Sequence, residues 1–106
     1  MLSRNIEDFT RIYIIKLKCS SLNIKYLKDN PITYIGRTTI CLKSRFGKHI
    51  AQSYQSNTKL AKAIRLFGID QFEMVLLRVC KKKIEVAMEE YYIKLFNSRE
   101  CGLNIR

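Results

Sequence analysis

Residues 11–19 read RIYIIKLKC and residues 31–36 read PITYIG, and these two stretches decide the fold. The first is rich in β-branched and aromatic side chains and predicts a strand. In the second, Pro31 opens the run Ile32, Thr33, Tyr34, Ile35 and Gly36 ends it, which predicts a second strand. Residues 20–30 between them are polar and close on Asp29 and Asn30, the composition of a loop. The two strands are expected to pair as a hairpin with an extended connection.

Working outward, Leu42, Phe46, Ile50 and Tyr54 fall four apart and predict a helix. Gly47 inside it costs about 1 kcal/mol against Ala without breaking the pattern. Asn57 or Thr58 can cap a second helix with the apolar stripe Leu60, Ile64, Phe67 and a stop at Gly68. Residues 71–80, with Phe72, Met74, Val75, Leu76, Leu77 and Val79, predict a third strand. Ile84, Ala87, Met88, Tyr91 and Leu95 mark the inner face of a third helix. The order strand, strand, helix, helix, strand, helix predicts an α+β domain. Its sheet is three-stranded, antiparallel or mixed, and flanked by three helices. Residues 1–10 read as a lead-in and residues 11–106 as the domain.

A chain of 106 residues suits one compact domain, and a hydrophobic share of 47% argues against disorder. Twenty Lys and Arg stand against nine Asp and Glu, a net charge of +11. That excess points to a polyanionic partner, most often nucleic acid, against the blander reading of a merely basic soluble protein. No apolar run approaches membrane-spanning length and no basic amphipathic helix dominates, so a membrane partner is not expected. Cys19, Cys41, Cys80 and Cys101 form no Cys-x-x-Cys pair and there is one His, so a structural zinc site is not expected either. The first ten residues carry Arg4, Glu7 and Asp8 and lack the apolar core of a signal peptide. The expectation is four reduced thiols in an intracellular protein, cytoplasmic or nuclear, not a secreted one.

Acidic residues are too few and too clustered on one helix for a two-metal carboxylate site. Glu90 stands four before Lys94, and a surface ion pair accounts for it. Glu89 has Ile93 four ahead and Glu85 four behind, so it is a candidate for a hard cation or simply a solvated carboxylate. Arg45 and His49, four apart, share one side of the first helix and could face a phosphate. Tyr13 and Tyr34 lie on adjacent strands, where tyrosines commonly pack. Lys59, Lys62 and Arg65 line the second helix opposite its apolar stripe and form a candidate phosphate-backbone surface. Lys81, Lys82 and Lys83 read as solvated charge.

Taken together these residues resemble the GIY-YIG nuclease superfamily, including its homing-endonuclease and viral or phage members. Tyr34-Ile35-Gly36 matches the second motif, followed by Arg37 and Thr38, and Arg11-Ile12-Tyr13 matches the first with Arg11 in place of its Gly. Residues 42–49, LKSRFGKH, resemble the family's arginine helix, and residues 67–72, FGIDQF, the segment before its third strand. Residues 89–94, EEYYIK, resemble the metal-binding helix, and Gly102-Leu103-Asn104 the closing motif, with Leu103 where Tyr is usual. The Tyr13 to Tyr34 separation is longer than the family's usual hairpin, which places an insertion near residues 20–30.

The resemblance implies a metal-dependent endonuclease that hydrolyses DNA phosphodiester bonds by a single-metal mechanism. Within the helix motif the family's acid stands four before the Ile, which selects Glu89 as the ligand of one Mg²⁺ or Mn²⁺. Tyr13 would help deprotonate the attacking water, with Tyr34 and His49 close by. Arg45 would stabilise charge growing on the phosphate, and Asn104 would orient the site. Arg37, Arg45 and Lys48, with Lys59, Lys62 and Arg65, would contact nucleic acid. The implied partner is DNA, with RNA left open, and specificity could come from a homo-oligomer or a separate targeting partner. The alternative reading is a nucleic-acid-binding module that keeps the fold without cutting.

Overall fold

The computed structural model describes residues 8–105. Its elements are β1 (Phe9–Leu17), α1 (Ile24–Leu27), β2 (Thr33–Thr38), α2 (Leu42–Ser53), α3 (Lys59–Phe67), β3 (Phe72–Lys81) and α4 (Glu85–Phe96). The strands form one sheet in the order β2-β1-β3, and both pairings are antiparallel. The expected α+β architecture is therefore present, with the sheet antiparallel throughout.

β1 is the central strand and is buried on both faces, which its unbroken apolar run requires. Ile12 and Ile14 face one way and pack with Ile35, Cys80, Ile93 and Phe96 beneath α4. Tyr13 and Ile15 face the other way and pack with Leu60, Ala63, Ile64 and Phe72 beneath α2 and α3. Lys16 continues the strand into the interior. Its ammonium lies 2.6 Å from Glu73, its cross-strand partner, and donates to the Ser20 carbonyl at 2.6 Å. Those contacts meet the requirement that a buried charge be paired and hydrogen-bonded.

Four local readings change. β1 begins at Phe9, inside the expected lead-in, whose residues 1–7 lie outside the described residues. The loop at residues 20–30 contains α1, a turn tied by the Asn23 side chain to the Lys25 amide (2.9 Å) and anchored by buried Leu27. β2 runs through Gly36 to Thr38 because the glycine answers a close approach, not a strand end: a methyl group on Gly36 would overlap Oη and Cζ of Tyr13, which lies directly opposite. On α4 the inner stripe is Met88, Tyr92, Ile93 and Phe96, while Ile84, Tyr91 and Leu95 are exposed. The helix is apolar on two adjacent stripes, so periodicity alone could not choose between them. The observed face also carries Glu89, one turn before Ile93, toward the sheet.

The helix ends follow from their residues. Thr58 caps α3 by accepting from the Ala61 amide at 3.2 Å, and Gly68, at φ 93°, ends it. Asn97, left-handed at φ 55°, ends α4 and returns the chain to the free edge of β2. There the Leu103 amide donates to the Thr33 carbonyl at 2.8 Å. The Asn104 side chain then completes the edge, accepting from the Ile35 amide and donating to the Ile35 carbonyl, each at 2.8 Å. The Ser98 hydroxyl donates to the same Asn104 oxygen at 2.7 Å. Gly102 makes this approach feasible, since a Cβ there would sit 2.7 Å from the Thr33 carbonyl oxygen. The cysteines are all unpaired, and among the described residues no helix is long and apolar enough to cross a membrane.

Asn104→Ala would leave the Ile35 amide and carbonyl without partners in a buried place. We expect it to lower unfolding free energy by about 2–4 kcal/mol in urea titration, with the m-value unchanged.

Candidate active site

Two strand residues and two helix residues converge beneath α2. Tyr13 and Tyr34 lie 6.4 Å apart between ring centroids, tilted by 38°. Arg45 and His49, one turn apart on α2, both reach Tyr13. His49 Nε2 is 2.7 Å from Tyr13 Oη, and Arg45 Nε donates to the same oxygen at 3.4 Å. The His49 ring also stands edge-on to Tyr34, with centroids 5.4 Å apart. Gly36 permits all of this by leaving room for the Tyr13 ring over the β2 backbone.

Burial sets the protonation states. Burial pushes the Tyr13 phenol up to about 12, against the opposing Arg45 hydrogen bond. Burial first, and then the Arg45 charge, push His49 down to about 4. At neutral pH both groups are therefore uncharged. The Tyr13 hydroxyl and His49 Nε2 thus share a hydrogen bond between neutral groups, with Arg45 donating to the same Oη. The Tyr34 phenol is also raised, by burial and then by Glu89, with Arg45 opposing. The two tyrosines differ in access: Tyr13 is 0% exposed, while Tyr34 is half-buried and lines two clefts. One of these is bounded by Arg45, His49, Gln52 and Leu103, the other by Glu89, Ile93 and Asn104.

Glu89 thus reaches the site from the opposite side of the sheet. Its side chain is 24% exposed, and Arg37 lies 3.7 Å away, too long for a tight ion pair. Burial raises its pKa first, Glu85 and Glu90 add to that, and Arg37 opposes. The adjacent Glu90 has the reverse fate. Arg99 grips it with two hydrogen bonds of 2.7 and 2.6 Å and holds its carboxyl below the usual range, while Lys94, the partner expected from spacing, is 3.9 Å away. Arg99 lies beyond the left-handed turn at Asn97, so no helical spacing announces it. Glu89 is the carboxylate here that could hold a hard cation, with water and phosphate oxygens to complete its shell. A carboxylate held partly buried beside two like charges gains from a divalent ion, and Mg²⁺ keeps several waters and takes phosphate oxygens. Among the described residues no group of three His, Cys, Asp or Glu is gathered.

Of the expected nucleic-acid contacts, Arg37, Arg45 and Lys48 share one basic cleft. Lys59 and Lys62 are exposed on α3 and do not line it. Arg65 is exposed on α3 as well, and its guanidinium donates to the carbonyls of Ser53 (2.5 Å), the last residue of α2, and Ser56 (2.7 Å), just beyond it. A helix leaves its last carbonyls, here that of Ser53, unpartnered, and a cation is favourable there.

The folded pKa of His49 lies below the unfolded value near 6.5, so unfolding takes up a proton between about pH 6.5 and 4. The stability that neutral His49 supplies is complete above about pH 6.5 and is lost on acidification, at up to about 1.4 kcal/mol per pH unit. His49→Gln should flatten this slope, measured by urea unfolding at about pH 7, 5.5 and 4.5.

No protein of curated function matches the chain in sequence. Among solved structures it is similar to the catalytic domain of intron endonuclease I-TevI. The TM-score is 0.71 at 22% sequence identity, over 92% of this chain and 94% of that one. The GIY-YIG catalytic-domain family matches residues 9–104, β1 through Asn104. The chain belongs to the GIY-YIG nuclease family.

Proposed function

We propose that the protein is a divalent-metal-dependent endonuclease that hydrolyses DNA phosphodiester bonds. The observation that carries this reading is the position of Tyr34, which lines both the Arg45–His49 cleft and the Glu89 cleft. A phosphate between the two clefts meets a guanidinium on one side and the loosely paired Glu89 carboxylate on the other. DNA as substrate is supported by the basic charge and by the similarity to an intron endonuclease.

Glu89 would hold one Mg²⁺ or Mn²⁺, which when bound polarises the phosphate and neutralises charge on the leaving oxygen. The remaining chemistry belongs to the chain's own residues. Arg45 donates to a non-bridging oxygen as charge grows there. The attacking water meets Tyr34 in preference to Tyr13, because Tyr13 is enclosed and its proton is poorly placed to leave. Burial raises the Tyr13 phenol and lowers His49, so proton transfer from one to the other is unfavourable. Tyr13 and His49 therefore act as a neutral hydrogen-bonded frame that orients Tyr34 and Arg45. Burial and Glu89 keep the Tyr34 phenol protonated at neutral pH against the opposing Arg45 charge, so its oxygen would orient the water by accepting a hydrogen bond, and the water's proton would pass to solvent.

Supercoiled plasmid incubated with Mg²⁺ or Mn²⁺ should be nicked or linearised, with EDTA and Glu89→Ala each abolishing the reaction. Plasmid that is bound but left intact by folded wild-type protein would instead indicate the binding module. Within the enzyme, Tyr34→Phe should lower kcat by about 10²–10⁴-fold with little change in DNA affinity. Tyr13→Phe should cost about tenfold, since it removes only an orienting hydrogen bond. The reverse order would return the task of activating the water to Tyr13.

A further inference from the structure

The run Lys81-Lys82-Lys83 reads in the sequence as undifferentiated charge, but its members face different surroundings. Lys81 and Lys83 line a recess with Asp8 and Phe9. Lys82 instead lines the basic cleft of about 380 Å³ that holds Arg37, Arg45 and Lys48. We propose that Lys82, together with Lys48, holds the backbone phosphate next to the one that is cut. This rests on the nuclease reading and extends it to the grip on the strand beyond the scissile bond.

Charge favours it. Four cationic side chains face one carboxylate in this cleft, that of Glu85, which accepts from the Thr10 hydroxyl at 2.6 Å. Among the described residues neither Lys48 nor Lys82 is paired with a carboxylate. Continuity favours it as well. Arg45 lines this cleft and also the one containing Tyr34 and His49, so adjacent phosphates of one strand can occupy the two. The platform is firm: Lys82 begins a single 3-10 turn, Lys82–Ile84, set between buried Cys80 and the Glu85–Thr10 hydrogen bond. An ammonium group reads phosphate as a point charge, so the contact positions the strand without selecting sequence.

The test is binding of a short duplex DNA in EDTA, followed by fluorescence anisotropy across a KCl series, for wild type, Lys82→Ala and Lys83→Ala. Lys82→Ala should weaken binding about three- to tenfold and reduce the slope of log K against log salt by about 0.9. Lys83→Ala should leave affinity and slope near wild type. A wild-type slope in Lys82→Ala, or an equal loss in Lys83→Ala, would overturn the assignment while leaving wild-type cutting intact. Wild-type protein that neither binds nor cuts the duplex would overturn the nuclease reading and this proposal with it.

Discussion

A tyrosine ring laid across a glycine backbone sets the dimensions of the site. Tyr13 stands opposite Gly36 in the β1–β2 pair, and its ring fills the space a Cβ would need. That approach carries Oη out to His49 and Arg45 on α2 and fixes how closely the helix packs on the sheet. The ring can be held there only because β1 is central and buried on both faces, with Ile12 and Ile14 anchored under α4. The geometry of Arg45, His49 and Tyr34 therefore depends on one strand whose alternate side chains belong to two cores.

The same burial divides otherwise similar groups. Glu89 and Glu90 are neighbours on α4, yet Glu90 is neutralised by the Arg99 fork while Glu89 faces a cleft with only a loose ion pair. Their carboxyls consequently shift in opposite directions. The separation leaves Glu89 as the carboxylate that lines the cleft with Tyr34. Tyr13 and Tyr34 diverge in a comparable way: one is sealed into the packing and the other is left at the junction of two clefts.

The sequence made most of the framework legible, and the reasons are physical. Alternation and β-branching mark β1 and β3, and four-residue spacing brings Arg45 and His49 to one side of α2, which the structure bears out. What stayed hidden depends on contacts between distant segments. The inner face of α4 was ambiguous because two adjacent stripes are apolar, and only packing against the sheet selects Ile93 and Phe96. Arg65 also ties α3 to the carbonyls of Ser53 and Ser56, a contact that nothing in α3 alone reveals. Arg99 and Lys82 are set by turns, where spacing carries no directional information.

The Asn104 clasp on Ile35 has a consequence for the order of assembly. β2 carries Tyr34 and Gly36, but its outer edge is satisfied by residues 103 and 104, about seventy positions later in the chain. A chain that emerges from its N-terminus first exposes β2 with an open edge, and Glu89 also arrives late. The arginine helix and the tyrosine strands are thus translated well before the segment that locks them. The edge of β2 beside Tyr34 can therefore be closed only once residues 103 and 104 have been made.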